Sequence, residues 1–136
     1  MAFTGNYTCN SFKSGLINGS FDFDTDTIRM ALYTNSATLN ADTAAYTATG
    51  EVSASGYTAG GVTLTVEKGI ANNTAYISFE DATISAAFTA RGALIYKAGD
   101  DGAICVLDFG SDKTSTTTFT VTFPTASSTD ALIRLS

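Results

Sequence analysis

The stretch GALIYKAGDDGAICVLDFG, residues 92–110, decides the fold. Two apolar arms flank Asp101-Gly102, a pair that tolerates the positive φ of a tight turn, so the stretch reads as a hairpin. Neither arm alternates. Ala93, Leu94, Ile95 and Tyr96 run without a break on one side, and Ala103, Ile104, Cys105 and Val106 on the other. Arms apolar on both faces belong in a central, doubly covered position.

Working outward, TTTFTVTFP (116–124) points Phe119, Val121 and Phe123 one way and Thr118, Thr120 and Thr122 the other. Pro124, the single proline, closes that strand, where its missing N–H does least harm. DTIRMALYT (26–34) is a strand with Ile28, Met30 and Leu32 on one face and Thr27, Arg29, Ala31 and Tyr33 on the other. VTLTVEK (62–68), AYISFEDATI (75–84) and DALIRLS (130–136) supply further strands. NSFKSGLING (10–19) predicts the one helix, with Phe12, Leu16 and Ile17 on a shared face, Asn10 or Ser11 as cap and Gly19 as stop. Many short strands with little helix predict a mainly β, single-domain antiparallel β-sandwich, jelly-roll-like, with one short N-terminal helix.

The 136 residues suit a single domain spanning 1–136, with a core large enough to need no staples. Residues 35–61 are a polar stretch too long for an ordinary connection, so they carry function or local structure. Within it, LNADTAAY (39–46) could form one helical turn. Residues 1–10 read as an N-terminal arm.

The net charge of -6, with 7 basic residues scattered along the chain, argues against binding nucleic acid or an anionic membrane surface. Acidity serves solubility. The first residues have neither a basic start nor an apolar core, so no secretory signal is expected, and no apolar run is long enough to span a bilayer. Cys9 and Cys105 are isolated in sequence and are expected to be reduced.

Histidine is absent, which removes the commonest general base and metal ligand together. A Ser-His-Asp relay is therefore impossible. Asp22, Asp24 and Asp26 are the candidate metal ligands, spaced as in an EF-hand loop. Thr27 stands where that loop needs glycine, however, and Tyr33 where it needs glutamate. The alternative is the start of a strand, with the three aspartates on the solvent face and Phe21 and Phe23 on the other. Asp108, set between Leu107 and Phe109, must be exposed or paired; Arg91, Lys113 and Arg134 are the available partners. YTAGG (57–61) has no lysine and precedes no helix, so it is not a phosphate loop. These residues give no catalytic assignment, no cofactor and no enzyme.

Binding has more to recommend it. Tyr46 and Tyr57 flank the long loop, and tyrosine suits contact surfaces; the alternative is that each covers an end of the sandwich. Phe3 and Tyr7 on the arm suggest docking on a neighbour, either this domain or another subunit.

The segments DTIRMALYT, EVSASGYTAGG (51–61), RGALIYKA (91–98) and VLDFGSDKTS (106–115) resemble a group of small tailed-phage virion proteins, several of them similar to capsid cement, or head decoration, proteins. The resemblance runs from about Lys13 to Leu135. It implies a non-enzymatic structural protein, made in the host cytoplasm, that binds the outer surface of the phage head and ties major capsid subunits together. Self-association as a dimer or trimer would multiply its contacts. The loop argument, not the resemblance, puts the partner interface at Phe3, Tyr7, Asp42, Tyr46, Glu51 and Tyr57. A neck, tail or fibre component is the alternative in the same particle. A carbohydrate-binding module, using the tyrosines and calcium at Asp22, Asp24 and Asp26, is the alternative outside it.

Overall fold

The computed structural model describes residues 5–99 and 102–136. In chain order the elements are β1 (Tyr7–Thr8), α1 (Asn10–Asn18), β2 (Ile28–Tyr33), β3 (Val62–Thr63), β4 (Val66–Ala71), β5 (Thr74–Phe79), β6 (Ala82–Ile84), β7 (Thr89–Lys97), β8 (Gly102–Thr114), β9 (Phe119–Val121) and β10 (Ile133–Leu135). The protein is mainly β, with antiparallel sheets and one short helix. A five-stranded sheet has the order β1-β8-β7-β2-β3, a three-stranded sheet the order β10-β5-β4, and β6 pairs with β9.

The decisive hairpin is β7–β8, and it lies inside the five-stranded sheet with a neighbour on each side. Asp101 of its tip falls outside the described residues; Gly102 opens β8. Leu94 lies opposite Val106 and Ile95 opposite Cys105, and the register then slips before Tyr96 meets Ala103. Ile104 is the extra residue of that bulge, so Ile104 and Cys105 face the same core in succession.

Both faces of this sheet are buried, which explains the missing alternation. One face presents Ile28, Met30, Leu32, Ala93 and Ile95 to the larger core, where Phe79 of β5, Ile84 of β6 and Phe119 of β9 cover them. The other face presents Ala31, Tyr33, Leu94, Tyr96 and Val106 to a second core with Cys9, Ala37 and Leu39. Among the described residues no strand covers that second face. The polar stretch between β2 and β3 does, together with Cys9 beside β1. LNADTAAY forms no helical turn within it: the Thr43 amide closes a reverse turn on the Asn40 carbonyl at 3.1 Å.

The β6–β9 pair continues the β7–β8 hairpin around a corner. From Ala82 to Ala90 every second residue is buried. At the bend the Ser115 hydroxyl donates to the Ala86 carbonyl at 2.7 Å and accepts the Phe88 amide at 3.2 Å, satisfying groups that the bend takes out of the ladder.

The helix forms where expected but buries a different face. Phe12 and Gly15 are inside, while Leu16 is 37% and Ile17 90% exposed. Gly15 is where the Phe21 ring packs: a Cβ there would lie 2.4 Å from it. Neither Asn10 nor Ser11 caps the helix. Cys9 holds the cap position without a side-chain bond, because Asn10 donates to Asp42 at 3.0 Å and Ser11 to the Ala103 carbonyl at 2.7 Å. Gly19 does stop it, in the left-handed conformation.

Residues 5–10 dock on this domain, the first of the two alternatives for the arm. Tyr7 pairs with Val106 and Thr8 with Cys105, and the Asn6 carboxamide accepts the Asp108 amide. Cys9 and Cys105 are buried free thiols; burial pushes Cys9 up to about 11 and raises Cys105 as well.

Candidate interaction surface

Three of the residues expected to meet a partner meet one another. Tyr46 donates its hydroxyl to Glu51 Oε1 at 2.6 Å, and Tyr57 donates to Oε2 at 2.7 Å. The Gly60 amide also donates to Oε2, at 2.8 Å. Tyr57 in turn accepts the Leu32 amide of β2 at 2.9 Å, and the Tyr96 hydroxyl of β7 donates to the Gly60 carbonyl at 2.7 Å. Tyr46 stacks on Tyr96 with ring centroids 5.1 Å apart, and Tyr33 donates to the Thr47 carbonyl. Glu51 thus gathers three loop donors into one knot, and the Leu32 amide and Tyr96 hydroxyl fix that knot to the sheet.

The electrostatic result is uniform. Burial, with the Glu51 hydrogen bond adding to it, pushes Tyr46 up to about 12. Burial raises Tyr33 and Tyr57 further, and the Glu51 charge reinforces the shift in both. These phenols are held protonated, as donors. Close glycines complete the clasp. A Cβ on Gly61, whose φ is +81°, would sit 1.7 Å from the Met30 carbonyl oxygen.

Of the remaining interface candidates, Phe3 lies outside the described residues and Tyr7 is part of β1. Asp42 is exposed and ties the loop to α1 through Asn10. The structure therefore brings Tyr46, Glu51 and Tyr57 together but directs them inward.

Asp22, Asp24 and Asp26 lie in a turn, which corrects the strand reading. Asp22 Oδ1 accepts the Asp24 amide at 2.9 Å, and the Asp22 carbonyl accepts the Asp26 amide at 2.8 Å. Asp26 Oδ2 closes the ring by accepting the Asp22 amide at 2.7 Å. Side-chain bonds to nearby amides favour turns over strands, and D-x-D spacing suits both. The Asp24 amide holds Asp22 below the usual carboxylate range. Asp24 pairs with Lys68 at 2.7 Å, and Asp26 faces the buried Lys97 at 4.0 Å. The phenylalanine half of the expectation holds: Phe21 and Phe23 pack on Phe12 at centroid distances of 5.2 and 6.0 Å. Among the described residues no group of three or more His, Cys, Asp or Glu is placed to hold a metal ion.

Asp108 takes Arg91 as its partner, Oδ1 to Nε at 3.0 Å, and the same oxygen accepts the Gly110 amide at 2.8 Å. Burial works to raise this carboxyl, but the Gly110 and Arg91 hydrogen bonds outweigh it and hold it below its ordinary value. Asp108 is a structural ion pair.

An apolar surface lies elsewhere, on the three-stranded sheet. On one of its faces Val66 sits opposite Phe79, Lys68 opposite Ile77 and Ile133, and Ile70 opposite Ala75 and Leu135. Phe79 is fully buried, and Ile77 and Ile133 pack at the edge of the core. Farther along, Leu135 is 50% and Ile70 75% exposed. The sheet outruns the core it covers. A groove of about 590 Å³ between α1 and β10 adjoins this overhang; Phe12, Leu16, Ile133 and Leu135 line it together with polar groups that include Lys13 and Arg134. A hollow of about 310 Å³ continues it across Ile70, Ala75 and Ile77. Sequence reading missed this surface, although IANNTAY (70–76) carries a signal for it: an isoleucine beside the Asn-Asn turn of a short hairpin has little body left to pack against.

The class that the fold and surface define is a mainly β, antiparallel domain with an open apolar overhang. No protein-family model, curated protein or solved structure matches the chain.

Proposed function

We propose that the protein is a non-enzymatic virion structural component, a cement protein that binds the outside of a tailed-phage head and ties major capsid subunits together. The residue-level resemblance in DTIRMALYT, EVSASGYTAGG, RGALIYKA and VLDFGSDKTS motivates the reading. The observation that carries it is the overhang: Ile70, Leu135 and Leu16 stand in water beside an open groove. Apolar surface of this kind favours a macromolecular partner that removes it from water. A protein that binds the assembled shell and not its free subunits stabilises the shell by mass action.

The geometry also moves the proposed contact. Tyr46, Glu51 and Tyr57 are engaged inside the domain, so the interface is assigned to the overhang rather than to the long loop. The test is the copy number of this chain relative to the major capsid protein in purified virions, by quantitative mass spectrometry. Copies in a fixed, simple proportion to the shell subunit are expected. A handful of copies per particle would overturn the cement reading in favour of a neck, tail or fibre position, and absence from the particle would end the virion reading altogether.

A further inference from the structure

β4 is an unusual edge. Among the described residues the other edge strands are two or three residues long, whereas β4 runs for six, Val66 to Ala71, in unbroken register with β5. It has no proline and no bulge. Long regular edges are templates for strand addition, which is why proteins shorten, kink or charge them. The deterrents on β4 are the charges of Glu67 and Lys68, and Asp24 answers the second at 2.7 Å.

The direction of the free backbone groups follows from the turn. Asn72 and Asn73 form a two-residue loop with φ of 53° and 64°, so Ala71 and Thr74 are a hydrogen-bonded pair. Counting back by twos, Gly69 and Glu67 also direct their N–H and C=O groups at β5. Val66, Lys68 and Ile70 direct theirs outward.

We infer that β4 pairs antiparallel with β4 of a second copy of this chain, joining the two three-stranded sheets into one of six. A twofold axis perpendicular to the sheet keeps side chains on matching faces, which restricts the register. Centred on Lys68, it would set two ammonium groups directly opposite each other. Centred on Gly69, it sets Lys68 against the partner's Ile70 and Glu67 against the partner's Ala71, with no like charges opposed. The aliphatic stem of lysine then covers the isoleucine that the single chain leaves 75% exposed. Gly69 suits the centre, because its missing side chain leaves room for the Tyr76 hydroxyl, which a Cβ there would approach to 2.5 Å. The same axis places both apolar overhangs on one face of the joined sheet. The inference rests on the edge and its register and stands whether or not the shell reading does.

The register makes the test specific to charge. Position 70 is solvent-exposed in the single chain, so Ile70→Lys and Ile70→Glu leave its fold in place, and thermal melting of dilute protein checks this. Light scattering on the unmodified protein is expected to show a dimer that tightens with added salt, since each chain carries -6. Ile70→Lys faces the partner's Lys68 and is expected to be monomeric at concentrations where the unmodified chain is dimeric. Ile70→Glu faces the same lysine and is expected to remain a dimer. In the unmodified protein, exchange of the Val66, Lys68 and Ile70 amides is expected to slow as concentration rises. A monomer at every concentration with those amides exchanging freely overturns the proposal, and so does a dimer indifferent to both substitutions. Protection that appears only when capsid shells are added would also overturn it, because the edge would then take its strand from a different protein.

Discussion

The loop between β2 and β3 and the β4–β5 hairpin invert the usual relation between regularity and burial. The loop has almost no regular structure and is rich in small polar residues, yet it closes the second core with Ala37, Leu39 and Tyr46 and is fixed by the Glu51 clasp. The hairpin is a regular ladder of six pairs, yet every residue of β4 beyond Val66 is exposed. Backbone order in the hairpin comes from local pairing across a tight turn. Order in the loop comes from side-chain hydrogen bonds to distant strands and from glycines that let backbone touch backbone. A change that respects the backbone is therefore damaging in the hairpin only at its pairing. In the loop it is damaging wherever a group comes close to the sheet.

The sharpest way to break this contrast is Gly61→Ala. The added carbon meets the Met30 carbonyl at 1.7 Å from a backbone with φ of +81°, so the loop must lift off the sheet. We expect a loss of about 3 kcal/mol or more in denaturant unfolding; a loss below about 1 kcal/mol would show that the loop is not held where the clasp places it.

Alkaline titration probes the same region more gently. Tyr46 is pushed up to about 12 and Tyr33 and Tyr57 are raised further, against an unfolded value near 10. The folded chain thus binds protons that the unfolded chain has released. The stability gained is fully present below about pH 10 and is lost as pH rises towards 12 and beyond. Tyrosinate absorbance from these residues should rise together with loss of near-ultraviolet circular dichroism. Ionisation ahead of unfolding would mean that the clasp opens locally.

The smallest effect is expected in the hairpin. Ile70→Ser, measured in dilute solution, should change stability by no more than about 0.5 kcal/mol, as exposed substitutions usually do. A larger loss would show that Ile70 is covered within the single chain.

The strands were legible because burial leaves a period in the sequence. Phe119, Val121 and Phe123 alternate with threonine, and Ile28, Met30 and Leu32 with residues of the opposite core, so their faces could be assigned directly. The hairpin at 92–110 was legible for the complementary reason, an apolar run too long for a half-exposed strand. The clasp was not. Tyr46, Glu51 and Tyr57 share no period, and a tyrosine held by a carboxylate five or six residues away looks in sequence like one waiting for a partner. The aspartates misled because D-x-D is compatible with both an alternating strand and a chain of side-chain turns. The helix face misled because Gly15 is buried by the ring of Phe21, a contact that hydrophobic periodicity cannot register.

The pairing of β1 with β8 has a consequence for how the molecule comes into being. Asn6 and Asp108, which share a hydrogen bond beside that pairing, are 102 positions apart. At ribosomal speeds of about 5–20 residues per second, the first strand is made roughly 5–20 s before its neighbour exists. For that interval Tyr7, Cys9 and Phe12 have no sheet to lie against, and the central hairpin that will receive them is among the later parts to emerge. Strand β1 and the helix must wait for β8, so an early stretch of the fold is among the last to find its place.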